Sequence, residues 1–218
     1  GLGRESVHYT YCGVRPLPWE EGPEGAITRK HIIREHDDVA RGLLSIIGGK
    51  LTTYRHLAEE VVDRIARLLE RDLPDCPTDD EPLPGGADFA VARERLAAAG
   101  IVAEDTAEHL LSVYGSRALE IAEMTVAEPA LGEVVCRRTG AIAAEVVFSL
   151  EQEYARTLDD LLQRRMMIGL GPKLGLDALD AVAAVAGRHL GWSDEERGDA
   201  KAAYRERLDR FKVPDRTY

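Results

Sequence analysis

The sequence lacks the features of several common protein classes. It has only three cysteines in 218 residues, and their odd number and wide spacing exclude a disulfide framework or a CxxC zinc site and favour a reducing compartment. No run approaches the roughly 18 to 20 apolar residues of a membrane helix, so an integral membrane protein is excluded. The chain begins with Gly1 and shows no basic segment followed by an apolar one. No targeting peptide is therefore visible, and we do not expect residue 1 to be a natural start.

Positive charge is also in short supply. The chain carries 28 Lys and Arg against 39 Asp and Glu, a net charge of -11, and nearly all of the acidic excess falls in residues 71–218. Phosphate contacts need a surplus of Lys and Arg on one face, so nucleic acid is not an expected partner. The six histidines form no HxxxH or HExxH pair, so no metal site is expected. No GxGxxG follows a strand, which means that a complete dinucleotide-binding half is absent.

The patterns that are present divide the chain into two parts of an α+β protein. Residues 1–71 contain segments typical of strands at 7–14, 27–36 and 43–47, and apolar residues at three- and four-residue steps from Leu51 then predict a helix of about five to six turns. Residues 72–88 hold four prolines, two glycines and six acids, which indicates a linker. Residues 89–218 predict an all-α C-terminal bundle of about six short helices.

Helix-start signals support this division. Asp88 is a candidate cap for the first helix after the linker. Thr157 with Asp160, and Ser193 with Glu196, have the spacing of capping boxes, in which each side chain bonds the backbone N–H of the other residue. The last of these boxes opens a polar helix that we expect to run to about residue 212.

Three cations in the first part are candidate binding residues. Arg15 lies in GVRP, Arg29 in ITRK, and Lys50 directly follows Gly48 and Gly49 at a predicted strand-to-helix turn. Such a turn brings backbone close to a ligand and directs the free N–H groups of the helix N-terminus toward it. Two arginines and a lysine in one pocket suit a phosphate or carboxylate. The alternative for each cation is an ordinary surface residue or salt bridge, and the spacing alone does not show that they converge.

Three segments resemble a known family. They are YCGVRPL at 11–17, AITR at 26–29 and LLSIIGGKLTTYRHLAEEVVD at 43–63, and they are similar to the C-terminal half of FAD-dependent glycerol-3-phosphate dehydrogenases, in the D-amino-acid oxidase and glycine oxidase superfamily. HLLSVYG at 109–115 and LDDLLQRRMMIG at 158–169 agree more loosely. In the second of these segments, Met166 stands where the family usually has Thr. The resemblance covers most of the chain.

The resemblance implies a role for each candidate residue. Arg15 would stabilise charge on the substrate hydroxyl oxygen, Arg29 would hold the substrate phosphate, and Lys50 would lie beside flavin and substrate. The implied cofactor is FAD, and the implied reaction oxidises glycerol 3-phosphate to dihydroxyacetone phosphate with electrons passed to a quinone. Flavin contacts are implied at four consecutive positions, which are Gly49, Lys50, Leu51 and Thr52.

The glycine-rich amino-terminal portion of that family is missing from the sequence, so we expect this chain alone to bind FAD weakly or not at all. Two alternatives stay open. One is a stand-alone helical module that binds a partner and keeps a vestigial flavin site, and the other is a glycerophosphate oxidase that uses O2 as acceptor. A cytoplasmic protein, peripheral on the inner membrane surface, is the location that the resemblance implies. Oligomeric state and the catalytic base are not predicted.

Overall fold

The computed structural model describes residues 3, 6–14, 17–19, 21 and 30–213. The chain forms two compact units, which are Cys12–Glu81, here the smaller unit, and Pro82–Tyr218 together with Gly1–Tyr11, here the helical unit. The boundary at residue 81 falls inside the predicted linker. Among the helices of the described residues, none is long and apolar enough to cross a membrane.

Within its described residues, the smaller unit contains a hairpin and one long helix. Strands β1 (Ile32–Glu35) and β2 (Leu44–Ile47) pair antiparallel, with Ile32 opposite Ile47. A 3-10 turn at Leu51–Thr53 leads directly into helix α1 (Tyr54–Leu68), which confirms the helix predicted from the apolar spacing. Arg64 on α1 donates from Nε to Oε1 of Glu35 on β1 at 2.6 Å. This ion pair joins the helix to the hairpin.

The strand predicted at residues 7–14 does not form. These residues are described as neither helix nor strand. Within the helical unit the Thr10 N–H instead donates to the Phe211 carbonyl at 2.9 Å, and Tyr9 packs against the apolar core. The aromatic and β-branched residues of this segment therefore serve packing, since the described residues offer it no neighbouring strand.

The helical unit contains six α-helices within its described residues, as predicted, and a short hairpin that was not predicted. The helices are α2 (Phe89–Ala99), α3 (Glu104–Tyr114), α4 (Ala118–Ala127), α5 (Ala143–Gln152), α6 (Leu179–Leu190) and α7 (Asp194–Arg207). The hairpin joins β3 (Val134–Cys136) to β4 (Ala141–Ile142). A π-helix at Asp160–Arg165 replaces the α-helix expected there.

Helix α5 lies at the centre of the helical unit, and its residues from Ala143 to Leu150 are all buried. One side of α5 packs with α2, α3 and α4, where Phe148 joins a cluster of buried residues. The other side faces α6 and the π-helix, where Val146 belongs to a second cluster. A helix that is apolar on most sides is expected in such a position.

The end of the predicted linker is fixed to the helical unit by two glycines. Ser116 N–H donates to the Gly85 carbonyl at 2.8 Å, and both Gly85 and Gly115 have positive φ, of 84° and 60°. A Cβ on Gly85 would lie 2.3 Å from the Tyr114 carbonyl oxygen. Only glycine fits this approach of two backbones.

Candidate active site at the first turn of helix α1

A glycine pair shapes the turn between β2 and α1. After Ile47, Gly48 and Gly49 have φ values of 75° and 101°, in the region that favours glycine, and Lys50 returns to an extended conformation. The first helical turn begins at Leu51. The predicted strand-to-helix turn at the glycine pair is confirmed.

The first helical turn leaves backbone donors available. The N–H groups of Leu51 and Thr52 make no hydrogen bond to any other described residue, and no acidic side chain lies in this turn. Thr53 bonds to the Lys50 carbonyl through its N–H and its hydroxyl, each at 3.1 Å, so its side chain does not cap the helix. The turn therefore presents unpaired donors and the positive end of the helix dipole to a negatively polarised ligand.

A cavity of about 430 Å³ lies beside this turn. Its lining residues are mostly basic or titratable, and they are Lys30, His31, Lys50, Thr53, His56 and Glu60. The Lys50 side chain is thereby brought into a basic surrounding, which suits an anionic ligand.

Glu60 on α1 connects the two histidines of the cavity. Its Oε2 pairs with Nε2 of His31, whose side chain is only 8% exposed, and its Oε1 lies 3.4 Å from Nε2 of His56. The hydrogen bond from His31 lowers the pKa of the Glu60 carboxyl; desolvation opposes this change, and the positive charges of His31, His56 and Lys30 add to it. Glu60 therefore stays ionised and fixes the orientation of the His31 ring.

Sequence reasoning missed this part of the cavity. His56 and Glu60 are four residues apart on a predicted helix, a spacing that brings two side chains onto one face. This pair could therefore have been predicted from the sequence. His31 lies 29 positions from Glu60, and only the packing of β1 beside α1 brings them together. Across the described ranges, no group of three or more His, Cys, Asp and Glu side chains is arranged to hold a metal ion.

The structure places only some of the predicted site residues. Gly49, Lys50, Leu51 and Thr52 are brought together by the turn, as their sequence adjacency requires. Arg15 and Arg29 lie outside the described residues. The convergence of the two arginines with Lys50, and the role of every residue of the site, stay predictions.

Comparisons with known proteins give consistent matches. The family model described as the C-terminal domain of alpha-glycerophosphate oxidase matches residues 76–197. A glycerol-3-phosphate dehydrogenase of Synechocystis is 37% identical over 98% of this chain and 40% of that protein. The mitochondrial glycerol-3-phosphate dehydrogenase of Mesocricetus auratus is 32% identical over 88% of this chain and 27% of that protein.

A solved structure agrees with the sequence matches. The glycerol-3-phosphate dehydrogenase of Bacillus halodurans, complexed with FAD, superposes with a TM-score of 0.66 at 25% identity, covering 86% of this chain and 38% of that one. This neighbour confirms the α+β class with a helical C-terminal portion. The chain spans no more than 40% of the length of these relatives. With the family model covering more than half of its residues, the chain belongs to the family of the alpha-glycerophosphate oxidase C-terminal domain.

Proposed function

We propose that this chain is the C-terminal portion of an FAD-dependent glycerol-3-phosphate dehydrogenase, which oxidises glycerol 3-phosphate to dihydroxyacetone phosphate. The observation that carries the proposal is the turn from Gly48 to Thr52, where Lys50 lines a basic cavity and the N–H groups of Leu51 and Thr52 have no partner among the described residues. The match to the Synechocystis dehydrogenase extends over 98% of the chain and so includes this turn. A stand-alone helical module has no use for such a turn.

The residues of the turn fit the pyrimidine end of a flavin. The N–H groups of Leu51 and Thr52 are available as donors to ring carbonyl oxygens, and Gly49 allows close approach. With no carboxylate in the first turn, the helix end stabilises negative charge on the ring. When bound, FAD would supply the acceptor for the hydride that leaves C2 of the substrate.

The cations of residues 1–71 then bind the substrate. In the proposal, Arg29 binds the phosphate through paired N–H donors, Arg15 stabilises charge on the C2 oxygen, and Lys50 contributes a point charge beside the same group. Residues 1–71 complete the flavin and substrate domain of the longer enzyme, residues 72–88 form the connection, and residues 89–218 form its helical cap.

The electron acceptor is a quinone in this proposal, which calls for a cytoplasmic enzyme placed peripherally on the inner membrane surface. The name of the matching family model favours O2 as the second candidate, because it describes an oxidase. Measuring oxygen consumption and hydrogen peroxide release against quinone reduction separates the two. Peroxide formed in step with substrate oxidation would support the oxidase.

The substrate role of Arg29 is tested in the full-length protein with glycerol 3-phosphate and a dye acceptor. Arg29→Ala should raise KM by about 10- to 100-fold, because a hydrogen bond between charged groups contributes about 1.5–3 kcal/mol. Arg34→Ala, which removes an exposed arginine from β1, is the matched control and should leave KM unchanged. An unaltered KM in Arg29→Ala would remove the phosphate role.

Flavin absorbance, measured on both the 218-residue chain and the full-length protein, tests the weak FAD binding expected of this chain alone.

A further inference from the structure

The helical unit contains a second cavity, of about 730 Å³, formed without any residue of the smaller unit. Its sides are the segment 156–164, which includes the start of the π-helix, and the C-terminal half of α7 with the turn that follows. The volume lies within the range of about 300–1,000 Å³ that is usual for small-molecule sites. π-Helical turns are rare and are frequent at functional sites.

A buried carboxylate fixes two arginines at this cavity. Asp159, with a side chain only 8% exposed, accepts at Oδ2 from Arg164 Nη1 and from Arg207 Nε, the latter at 2.7 Å. Asp160 holds Arg164 from a second side, with its Oδ1 2.9 Å from Nη1. Guanidinium groups from two separate helices are thus held in place before any ligand arrives, which reduces the entropy lost on binding.

Several donors of the cavity remain available. Arg207 bonds through Nε to Asp159, and its two terminal nitrogens make no hydrogen bond within the described residues. Arg156 also lines the cavity, and its guanidinium pairs with no carboxylate of the described ranges. Arg210 lies over the Phe211 ring, 5.5 Å from its centre, and pairs with no acid among the same residues. Four arginines thus face three acids in the lining.

The remaining wall is mostly carbon. Trp192, Ala200 and Ala203 line it together with Tyr204. The Tyr204 hydroxyl is already used, since it donates to the Leu174 carbonyl at 2.7 Å and accepts from Gln163 Nε2 at 3.1 Å. Tyr204 therefore offers ring carbon to the cavity, and a ligand here meets apolar surface beside its cationic end.

We propose that this cavity is a binding site for a phosphate monoester, distinct from the turn at Lys50. A phosphate group has three terminal oxygens and can accept from several guanidinium groups at once, whereas a carboxylate is satisfied by one bidentate arginine. The wall of Trp192 and the alanines holds the organic part of the ester. The inference does not depend on the proposed function.

The test is a titration of the 218-residue chain followed by tryptophan fluorescence. The chain has two tryptophans, so Trp19→Phe leaves Trp192 as the only reporter. Two esters serve as probes, glycerol 3-phosphate with an aliphatic organic group and AMP with a planar one, and inorganic phosphate is the comparison. At least one ester should bind saturably and about tenfold more tightly than inorganic phosphate. The ester that binds more tightly shows whether the cavity prefers an aliphatic or a planar organic group.

Matched arginine variants locate the binding. Arg156→Gln should weaken ester binding about tenfold, as expected for one lost hydrogen bond between charged groups, and should fold normally because that guanidinium has no described partner. Arg205→Gln, on α7 but outside the lining, should have no effect. Lys50→Met should also leave the signal unchanged, which separates this site from the proposed catalytic one. Absence of saturable binding, equal affinity for inorganic phosphate, or loss in Arg205→Gln or Lys50→Met would overturn the proposal.

Discussion

The two units of this chain bury apolar surface very differently. Among the described residues of the smaller unit, Ala66 is the one buried apolar residue, and Val62 and Ile65 on the predicted apolar face of α1 are 50% and 41% exposed. In the helical unit every residue of α5 from Ala143 to Leu150 is buried. The spacing of apolar residues thus correctly predicts helices in both units. Only in the helical unit are the apolar side chains of such a helix buried in a core.

This difference indicates that separate forces hold the two units. Burial of apolar surface, at about 25 cal/mol per Å², is the main stabilising term for a unit with a core. In the smaller unit two ion pairs join α1 to β1 and to the residue before it, which are the pairs of Arg64 with Glu35 and of Glu60 with His31. Exposed or half-exposed pairs of this kind contribute little. Substitutions in the two units should therefore have unequal effects on unfolding.

The largest contrast is expected between two large apolar residues. Phe148 on α5 is 1% exposed, its ring meets Tyr114 edge to face at 5.7 Å, and the Arg117 guanidinium lies 4.3 Å from its centre. Phe148→Ala should lower the free energy of unfolding by about 3–5 kcal/mol in urea denaturation, because it leaves a cavity. Ile65→Ala on α1 is the matched change and should cost less than about 1 kcal/mol. Equal losses would mean that α1 has a buried environment.

A second contrast compares two Glu–His pairs. Glu145 is fully buried and accepts from His109 Nε2 and from the Ile142 N–H, each at 2.9 Å. Glu145→Ala leaves both donors without a partner inside the protein and should cost about 3 kcal/mol, measured from the urea midpoint. Glu60→Ala breaks the pair with His31 in the smaller unit, where the glutamate side chain is 40% exposed and not buried, and should shift the midpoint less. A larger shift for Glu60→Ala would reverse the comparison of the two units.

Local signals in the sequence predicted the structure best. The capping box of Ser193 with Glu196 forms with both bonds, at 2.7 and 3.2 Å, and Thr157 with Asp160 forms the other. The prediction that Asp88 caps a helix is wrong, because Asp88 adopts a left-handed conformation and its side chain accepts no hydrogen bond from a helix N–H. Caps depend on a few neighbouring dihedral angles, which a sequence motif specifies only when both of its partners are present.

Features that depend on distant residues were not predictable. The π-helix at Asp160–Arg165 inserts an extra residue into a turn whose apolar spacing resembles an α-helix. The cavity at Lys50 depends on His31 and Glu60 meeting across 29 positions. The cavity of the helical unit likewise requires Arg207 on α7 to reach Asp159. No local period carries this information, because it arises only when elements pack.

The smallest contrast concerns pH. Burial alone would raise the pKa of Asp160, but hydrogen bonds from the Arg156 and Thr157 N–H groups and the Thr157 hydroxyl, with the charge of Arg164, lower it. A carboxyl with a lowered pKa in the folded state stabilises the protein above the unfolded value of about 3.9, and this contribution is lost as the pH falls through the folded pKa.

Asp160→Asn should therefore cost about 1 kcal/mol at neutral pH, once solvent screening of the Arg164 charge is allowed for. The difference from the unmodified chain should shrink as the pH falls below about 4, measured from urea midpoints between pH 7 and pH 3. Glu60, whose pKa is also lowered, offers the comparison in the smaller unit through Glu60→Gln. The smaller unit has almost no buried apolar residues, so a local change there should have little effect on the cooperative unfolding of the helical unit. That variant should therefore leave the urea midpoint of the main unfolding transition unchanged at every pH. If the difference in unfolding free energy between Asp160→Asn and the unmodified chain stays constant with pH, the negative charge of Asp160 does not contribute to stability.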